Sequence, residues 1–355
     1  MKRNIAILLV VFLLSGLLVA CQSGTTPQEK KQEANNTAAS PEAKEDQKTD
    51  ETKDDKAKDD KTDKTYRVAY IARTQNDSFA AWLANEMKEA AKAYPDITLD
   101  VIDGQADDAK ENAAIENAIT NKYDAIIVQP NNGEAQRPYV EKIVEAGIIA
   151  ITTNARIDGI KGASSIDADP YVQAKVNCEL ALEQVPKNAK VVVLQGPSGN
   201  FHADERRKAW QVEFFDKRED VEIVGEQIAH WNKDEAVKFM EDWVTANDQI
   251  DAIISMNDNM AAGALEVVKG NDKFKDILSY GVDGTPEATL LIQEGTMTST
   301  CLQSAIDLAK ANIDAVHQLL TGEEKEINRD IDAILITKDN VDEYVNMYKE
   351  RGLIK

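Results

Sequence analysis

From Tyr66 onward, short runs of β-branched and aliphatic residues alternate with helix-periodic stretches, and the alternation repeats in two series of similar length. In the first series, 67–72, 97–102, 125–128 and 148–152 read as strands. Helices over 78–94, 107–120 and 136–146 lie between them. A strand–helix–strand order makes the strands parallel and requires helices on both faces of the sheet. The second series begins near Pro170, with strands at 191–194, 221–224, 252–255, 278–282 and 297–302. Its helices fall at 203–218, 234–246, 260–269 and 286–294, followed by a helix at 305–320 and a short strand at 331–336. The chain is therefore expected to be an α/β protein of two doubly wound parallel-sheet lobes. In such sheets ligands bind beyond the carboxyl ends of the strands, which puts the site in a cleft between the lobes.

The strand ends carry a consistent chemistry. In the first lobe they are Arg73-Thr-Gln-Asn-Asp-Ser-Phe79, Gln129-Pro-Asn-Asn132 and Thr153-Asn154-Ala-Arg156. In the second they are Gln195-Gly-Pro-Ser-Gly-Asn-Phe-His202, Ala229-His-Trp-Asn232, Met256-Asn-Asp-Asn-Met260 and Val282-Asp-Gly-Thr-Pro286, with Gln303 closing the last strand. Amides and carboxylates offer paired donors and acceptors to vicinal hydroxyls, Arg bridges two oxygens, and a flat aromatic covers the C–H face of a sugar ring. Taken singly, Asp77, Asn257 and Asp258 would be helix N-caps more often than not. Their recurrence at nearly every strand end favours a carbohydrate-type site.

Other chemistries find little support. The formal charge of −22 lies mostly in the folded part and argues against nucleic acid. Ser198 lacks the Gly-x-Ser-x-Gly frame of a nucleophile elbow, no phosphate loop follows the first strand, and His202 and His230 read as cleft-lining or capping residues rather than bases. The three histidines have no metal-ligand spacing, so neither metal nor cofactor is expected. Cys178 and Cys301, in apolar contexts, read as buried free thiols, with a disulfide between them the alternative.

The N-terminus sets the compartment. Lys2 and Arg3 precede an apolar run at 5–19 that is short for a membrane span. Leu18-Val-Ala-Cys21 resembles a bacterial lipobox, which implies a signal peptide over 1–20 and acylation of Cys21. Acyl chains contribute about 0.8 kcal/mol per buried CH₂, enough for two or more to hold the protein at the extracytoplasmic face of the cell membrane. Lys, Asp, Glu and Thr dominate the segment that follows; with so few apolar side chains it is expected to be a disordered linker, within 21–65, reaching roughly 35–40 Å.

The second half of the chain carries two motifs in fixed order, Asn257-Asp-Asn-Met-Ala-Ala-Gly-Ala-Leu265 and Gly281-Val-Asp-Gly-Thr-Pro286. With the strand-end residues, they make the chain from Tyr66 onward resemble the ribose- and galactose-type periplasmic sugar-binding proteins, the type I periplasmic binding proteins that serve ABC permeases. Sensor domains of sugar-responsive repressors share these motifs, but the lipobox and the missing helix-turn-helix exclude a repressor. The resemblance implies a three-segment hinge, with one lobe from 66–167 plus 304–330 and the other from 168–303 plus 331–355. It implies that Phe79 and Trp231 sandwich a ring, and that Arg206, Asn257, Asp283 and Gln303 bind hydroxyls. Asp77 stands where Asn is common, Gln129 replaces an Asn, and Asn154-Ala155 replaces an Asp-Arg pair, which shifts the expectation from ribose to another sugar or a cyclitol. The implied function is a monomeric, non-enzymatic binding lipoprotein that delivers its ligand to an ABC permease. A receptor presenting a sugar-like signal to a membrane sensor and an extracytoplasmic hydrolase are the alternatives.

Overall fold

The structure, a computed structural model, describes residues 64–355. The expected signal peptide, the acylated Cys21 and the charged linker through Asp63 lie outside these residues. The first series folds as β1 (Tyr66–Ala72), α1 (Ser78–Ala91), β2 (Ile97–Asp103), α2 (Asp108–Thr120), β3 (Ala125–Val128), α3 (Gly133–Glu145), β4 (Ile149–Thr153) and β5 (Ala163–Ala168). The second runs α4 (Pro170–Gln184), β6 (Lys190–Gln195), α5 (Phe201–Glu213), β7 (Glu222–Ile228), α6 (Lys233–Ala246), β8 (Ala252–Ser255), α7 (Asp258–Val268), β9 (Leu278–Asp283), α8 (Pro286–Glu294) and β10 (Ser299–Leu302). The tail adds α9 (Ala305–Thr321), β11 (Asn328–Ile331), β12 (Ile334–Ile336) and α10 (Val341–Glu350).

Two six-stranded sheets result, β2-β1-β3-β4-β5-β11 and β7-β6-β8-β9-β10-β12. All neighbours are parallel except β12, which runs antiparallel to β10. Helices cover both faces, so the strands must be apolar on both sides. Val68, Tyr70 and Ala72 pack with Leu83, Met87, Leu308 and Ile313 on one face, and Ala69 and Ile71 pack with Ile115, Val140 and Ile143 on the other. In the second lobe Trp210 centres an aromatic cluster, 5.5 Å from Phe214 and 5.7 Å from Tyr280. Cys178 and Cys301 are buried there as free thiols.

The chain crosses between sheets three times, at 168–170, 302–305 and 331–334: α9 packs on the first sheet and α10 returns to α8 of the second. The last crossing corrects the single strand expected at 331–336. Asp332 and Ala333 break it, and its halves join different sheets. Three elements had no counterpart in the expectation. The sequence of β5, Ala-Ser-Ser-Ile-Asp-Ala, is too polar to signal a strand. In α4, Gln173 and Asn177 are buried, so it shows no apolar stripe. The third, α10, does carry a signal: Val341, Val345 and Tyr348 recur at helical spacing, and all three are buried.

Candidate functional site

In each sheet the winding reverses between the second and third strands, β1 and β3 or β6 and β8, and the loops beyond these strand ends meet in one small pocket with about 20 Å³ of internal cavity. Arg73, Asp77, Phe79 and Asn154 line it from the first lobe. Asn200, His202, Arg206, Trp231, Asn257, Asp283 and Gln303 line it from the second. Of the residues expected here, Gln129 alone is set back. Arg73, Asn200 and His202 belong to loops singled out in the sequence but were not assigned to the site.

Three helices aim their N-termini at the pocket, and the pocket residues Asp77, Asn200 and Asn257 are their caps. Asp77 Oδ1 accepts from Ala80 N at 2.8 Å while its other oxygen faces Arg73 in an ion pair. Asn200 Oδ1 accepts from His202 N and Ala203 N, and Asn257 Oδ1 accepts from Met260 N at 2.9 Å. Capping and pocket lining thus coincide: the cap uses one atom of each side chain and leaves the rest for other work.

Gln129 illustrates how the pocket is held from behind. It is fully buried, accepts from Tyr70 Oη at 2.9 Å and donates to Asn154 Oδ1 at 2.7 Å. That bond fixes the Asn154 amide so that Nδ2 remains without a partner. Trp231 Nε1 and Asp283 Oδ2 are likewise buried and unpartnered. A buried polar group without a bond costs about 1–3 kcal/mol, which marks these two donors and one acceptor as hydrogen-bonding capacity that the pocket does not use within the protein. The same three residues adopt positive φ, +51° for Asn154, +61° for Trp231 and +128° for Asp283. Strain of this kind, of order 1–3 kcal/mol per residue, persists where the surroundings fix a side chain for a task. Gly196 makes room for the Trp231 ring: a Cβ there would lie 2.2 Å from it.

Arg206 organises the floor. Its Nη1 donates to Met256 O at 2.7 Å, and Nη2 donates to Gln173 Oε1 at 2.8 Å and Gln303 Oε1 at 3.1 Å. Nη2 also lies 3.2 Å from His202 Nδ1 and 3.8 Å from Asp283 Oδ1. Burial drives the His202 pKa down. With Nδ1 facing a guanidinium and Nε2 3.1 Å from Asp167 Oδ1, the neutral Nε2–H tautomer satisfies both neighbours. Burial pushes the Asp283 carboxyl well above the usual carboxylate range, against the pull of Arg206. His230, by contrast, is exposed and pairs with Glu235.

Asp258, the second residue of the first motif, does not line the pocket. It accepts from Thr300 Oγ1 at 2.6 Å and Thr285 N at 2.8 Å, while Thr300 Oγ1 accepts from Gly284 N at 3.1 Å. The two motifs are therefore one device, in which Asp258 and Thr300 hold the 283–285 turn that presents Asp283. Gly281 leaves space for that carboxylate, since a Cβ there would meet Asp258 Oδ1 at 2.4 Å.

Comparison with known proteins agrees with this geometry. A model described as the periplasmic binding protein domain matches residues 68–324. The chain belongs to the periplasmic binding protein family. It is 31% identical over 279 residues to a putative rhizopine-binding protein of Rhizobium meliloti, covering 76% of this chain and 89% of the relative. The ribose import binding protein of Escherichia coli is 25% identical over 272 residues, covering 76% and 90%. An ABC transporter solute-binding protein from Bacillus halodurans, solved with bound myo-inositol, superposes with a TM-score of 0.72 at 26% identity, covering 80% of this chain and 98% of that one. The two-lobed α/β fold is that of these binding proteins. Among the described residues no helix is long and apolar enough to cross a membrane.

Proposed function

We propose that this protein captures one uncharged polyol, a monosaccharide or cyclitol, in the cleft between its lobes. Held at the extracytoplasmic membrane face through an acylated Cys21, it passes that ligand to an ABC permease. The observation that carries the ligand reading is the set of open groups in the pocket: Asn154 Nδ2, Trp231 Nε1 and Asp283 Oδ2, two donors and one acceptor. Hydroxyl groups answer both kinds at once, whereas a carboxylate or an ammonium answers only one. Charge agrees, because Arg73 is paired with Asp77 and the Arg206 donors are engaged by Met256 O, Gln173 Oε1 and Gln303 Oε1, leaving no free cation among the described pocket residues for an ionic ligand. Phe79 and Trp231, one from each lobe, supply apolar faces for ring C–H groups. The ligands named for two of the proteins it resembles, ribose and myo-inositol, are small uncharged polyols and support the reading.

Calorimetric titration against myo-inositol, D-ribose, D-allose and xylitol, with glucosamine and glucuronate as charged counterparts, tests the reading. One or more uncharged polyols should bind one-to-one, and Asp283→Asn should weaken that binding at least about tenfold, equal to about 1.4 kcal/mol, with the melting temperature of the empty protein little changed. Preference for a charged counterpart would contradict the charge argument. Normal affinity in Asp283→Asn, with a clear loss of stability, would make Asp283 a structural residue.

A further inference from the structure

The C-terminal helix α10 belongs to the second lobe, where Val341 and Val345 enter the core, yet its Tyr348 and the C-cap residue Arg351 reach the first lobe. Arg351 Nη2 lies 2.5 Å from Glu86 Oε2 on α1, and Glu86 Oε1 accepts from Trp82 Nε1 at 3.1 Å. Trp82 in turn packs edge-on against Tyr348, with ring centroids 5.8 Å apart, and against the pocket residue Phe79 at 6.1 Å. Tyr348 is fully buried, and its hydroxyl donates to Gly284 O at 2.5 Å. Gly284 adjoins Asp283 in the turn that Asp258 and Thr300 brace from the other side. One continuous set of contacts therefore runs from Phe79 through Trp82 and Tyr348 to the Asp283 turn, and it crosses from lobe to lobe outside the three hinge segments.

We infer that α10 is a latch, with Tyr348 its positioning residue. Tyr348 and Arg351 bias the unliganded protein toward closure, and Tyr348 transmits that closure to the turn that presents Asp283. The inference builds on the reading of the cleft as a ligand site, but the latch itself is a property of the protein alone. Two-state closure needs only a contact made in one state and broken in the other. The Trp82–Tyr348 and Glu86–Arg351 pairs join different lobes, and the latch requires that closing makes them and opening breaks them. A brace internal to the second lobe would behave differently, because a change on α1 would not reach it.

Hydrogen exchange of the Gly284 and Thr285 amides in the unliganded full chain separates the two. Both amides are bonded to side chains in the turn, so their exchange reports its opening. Tyr348→Phe removes one hydroxyl and keeps the ring; it should speed both amides roughly fivefold, about the equilibrium worth of one hydrogen bond. Glu86→Gln, on the opposite lobe, should speed the same amides at least about twofold, a little under half the worth of one hydrogen bond. Acceleration by Tyr348→Phe alone would reduce Tyr348 to an internal brace and overturn the latch, as would no acceleration by either variant, or by Glu86→Gln alone. Repeating the wild-type measurement with myo-inositol bears on the ligand reading instead. Failure to slow these amides would count against that polyol and leave the latch result standing.

Discussion

Glu111 is the most consequential residue in the first lobe that touches no ligand. It is fully buried on α2, and its Oε2 accepts from Asn131 N at 3.1 Å while Oε1 has no partner. Burial pushes its carboxyl up to about 8, partly opposed by the Asn131 bond and by Arg73. Below the ordinary glutamate pKa of about 4.3 both folded and unfolded chains hold the proton. Between there and about 8 the unfolded chain releases it while the folded one keeps it, so this residue's contribution to stability falls as pH rises through that window. Glu111→Gln keeps the carbonyl that Asn131 needs and removes the titration. It should leave the melting temperature unchanged near pH 4 and raise it by about 4 °C or more near pH 8, where a change of 1 kcal/mol moves a domain of this size by about 2–4 °C. An equal effect at both pH values would show that Glu111 is charged in the folded protein. At this scale the sequence displayed the pocket's polar residues but not their division of labour. Asp77 and Asn257 read as either caps or ligand groups, and the structure shows each capping a helix and lining the pocket. Gln129 looked like a pocket residue because its loop follows a strand end, but Tyr70, a strand residue with no sequence signal, draws it back by one hydrogen bond.

Among elements, α7 shows how a helix terminus serves fold and site together. Asn257 caps it through Oδ1 and lines the pocket with the same side chain. Ser at this position would keep the cap, whereas Ala would lose it at a cost of about 1 kcal/mol. Both would remove the amide. Asn257→Ser and Asn257→Ala should therefore lose polyol affinity to a similar degree, about tenfold or more, while Ala alone lowers the melting temperature; the affinity drop corresponds to about 1.4 kcal/mol. Denaturation and titration of the pair check this, and full affinity in the Ser variant would confine Asn257 to capping. The regular elements were legible in the sequence because two-faced parallel strands need uninterrupted apolar runs such as 68–72 and 252–254. What escaped was built from polar residues with internal partners. In α4, Gln173 accepts from Arg206, and Asn177 donates to Gly281 O at 2.8 Å, so its buried positions are amides. The crossing at 331–334 was hidden because two short apolar pieces two residues apart look like one strand.

Across the whole molecule, the pocket exists only where the lobes meet. Asn200 Nδ2 donates to Asn131 O at 3.2 Å and His202 contacts Asp167 at 3.1 Å, both from lobe to lobe, and the pocket they flank is small and lined almost wholly by buried side chains. A ligand held in this way must enter through an open form, and three parallel hinge segments allow the lobes to part along one direction. The order of the two motifs and the repeated series made the fold readable. The resemblance implied the hinge, but not the contacts that join the lobes at Asn131, Asp167 and Glu86, whose partners lie far away in sequence. Small-angle scattering of the full chain, with and without the polyol that titration identifies, tests the central claim most directly. The account predicts a smaller radius of gyration when the ligand is bound. An unchanged radius with the polyol demonstrably bound would contradict capture between closing lobes.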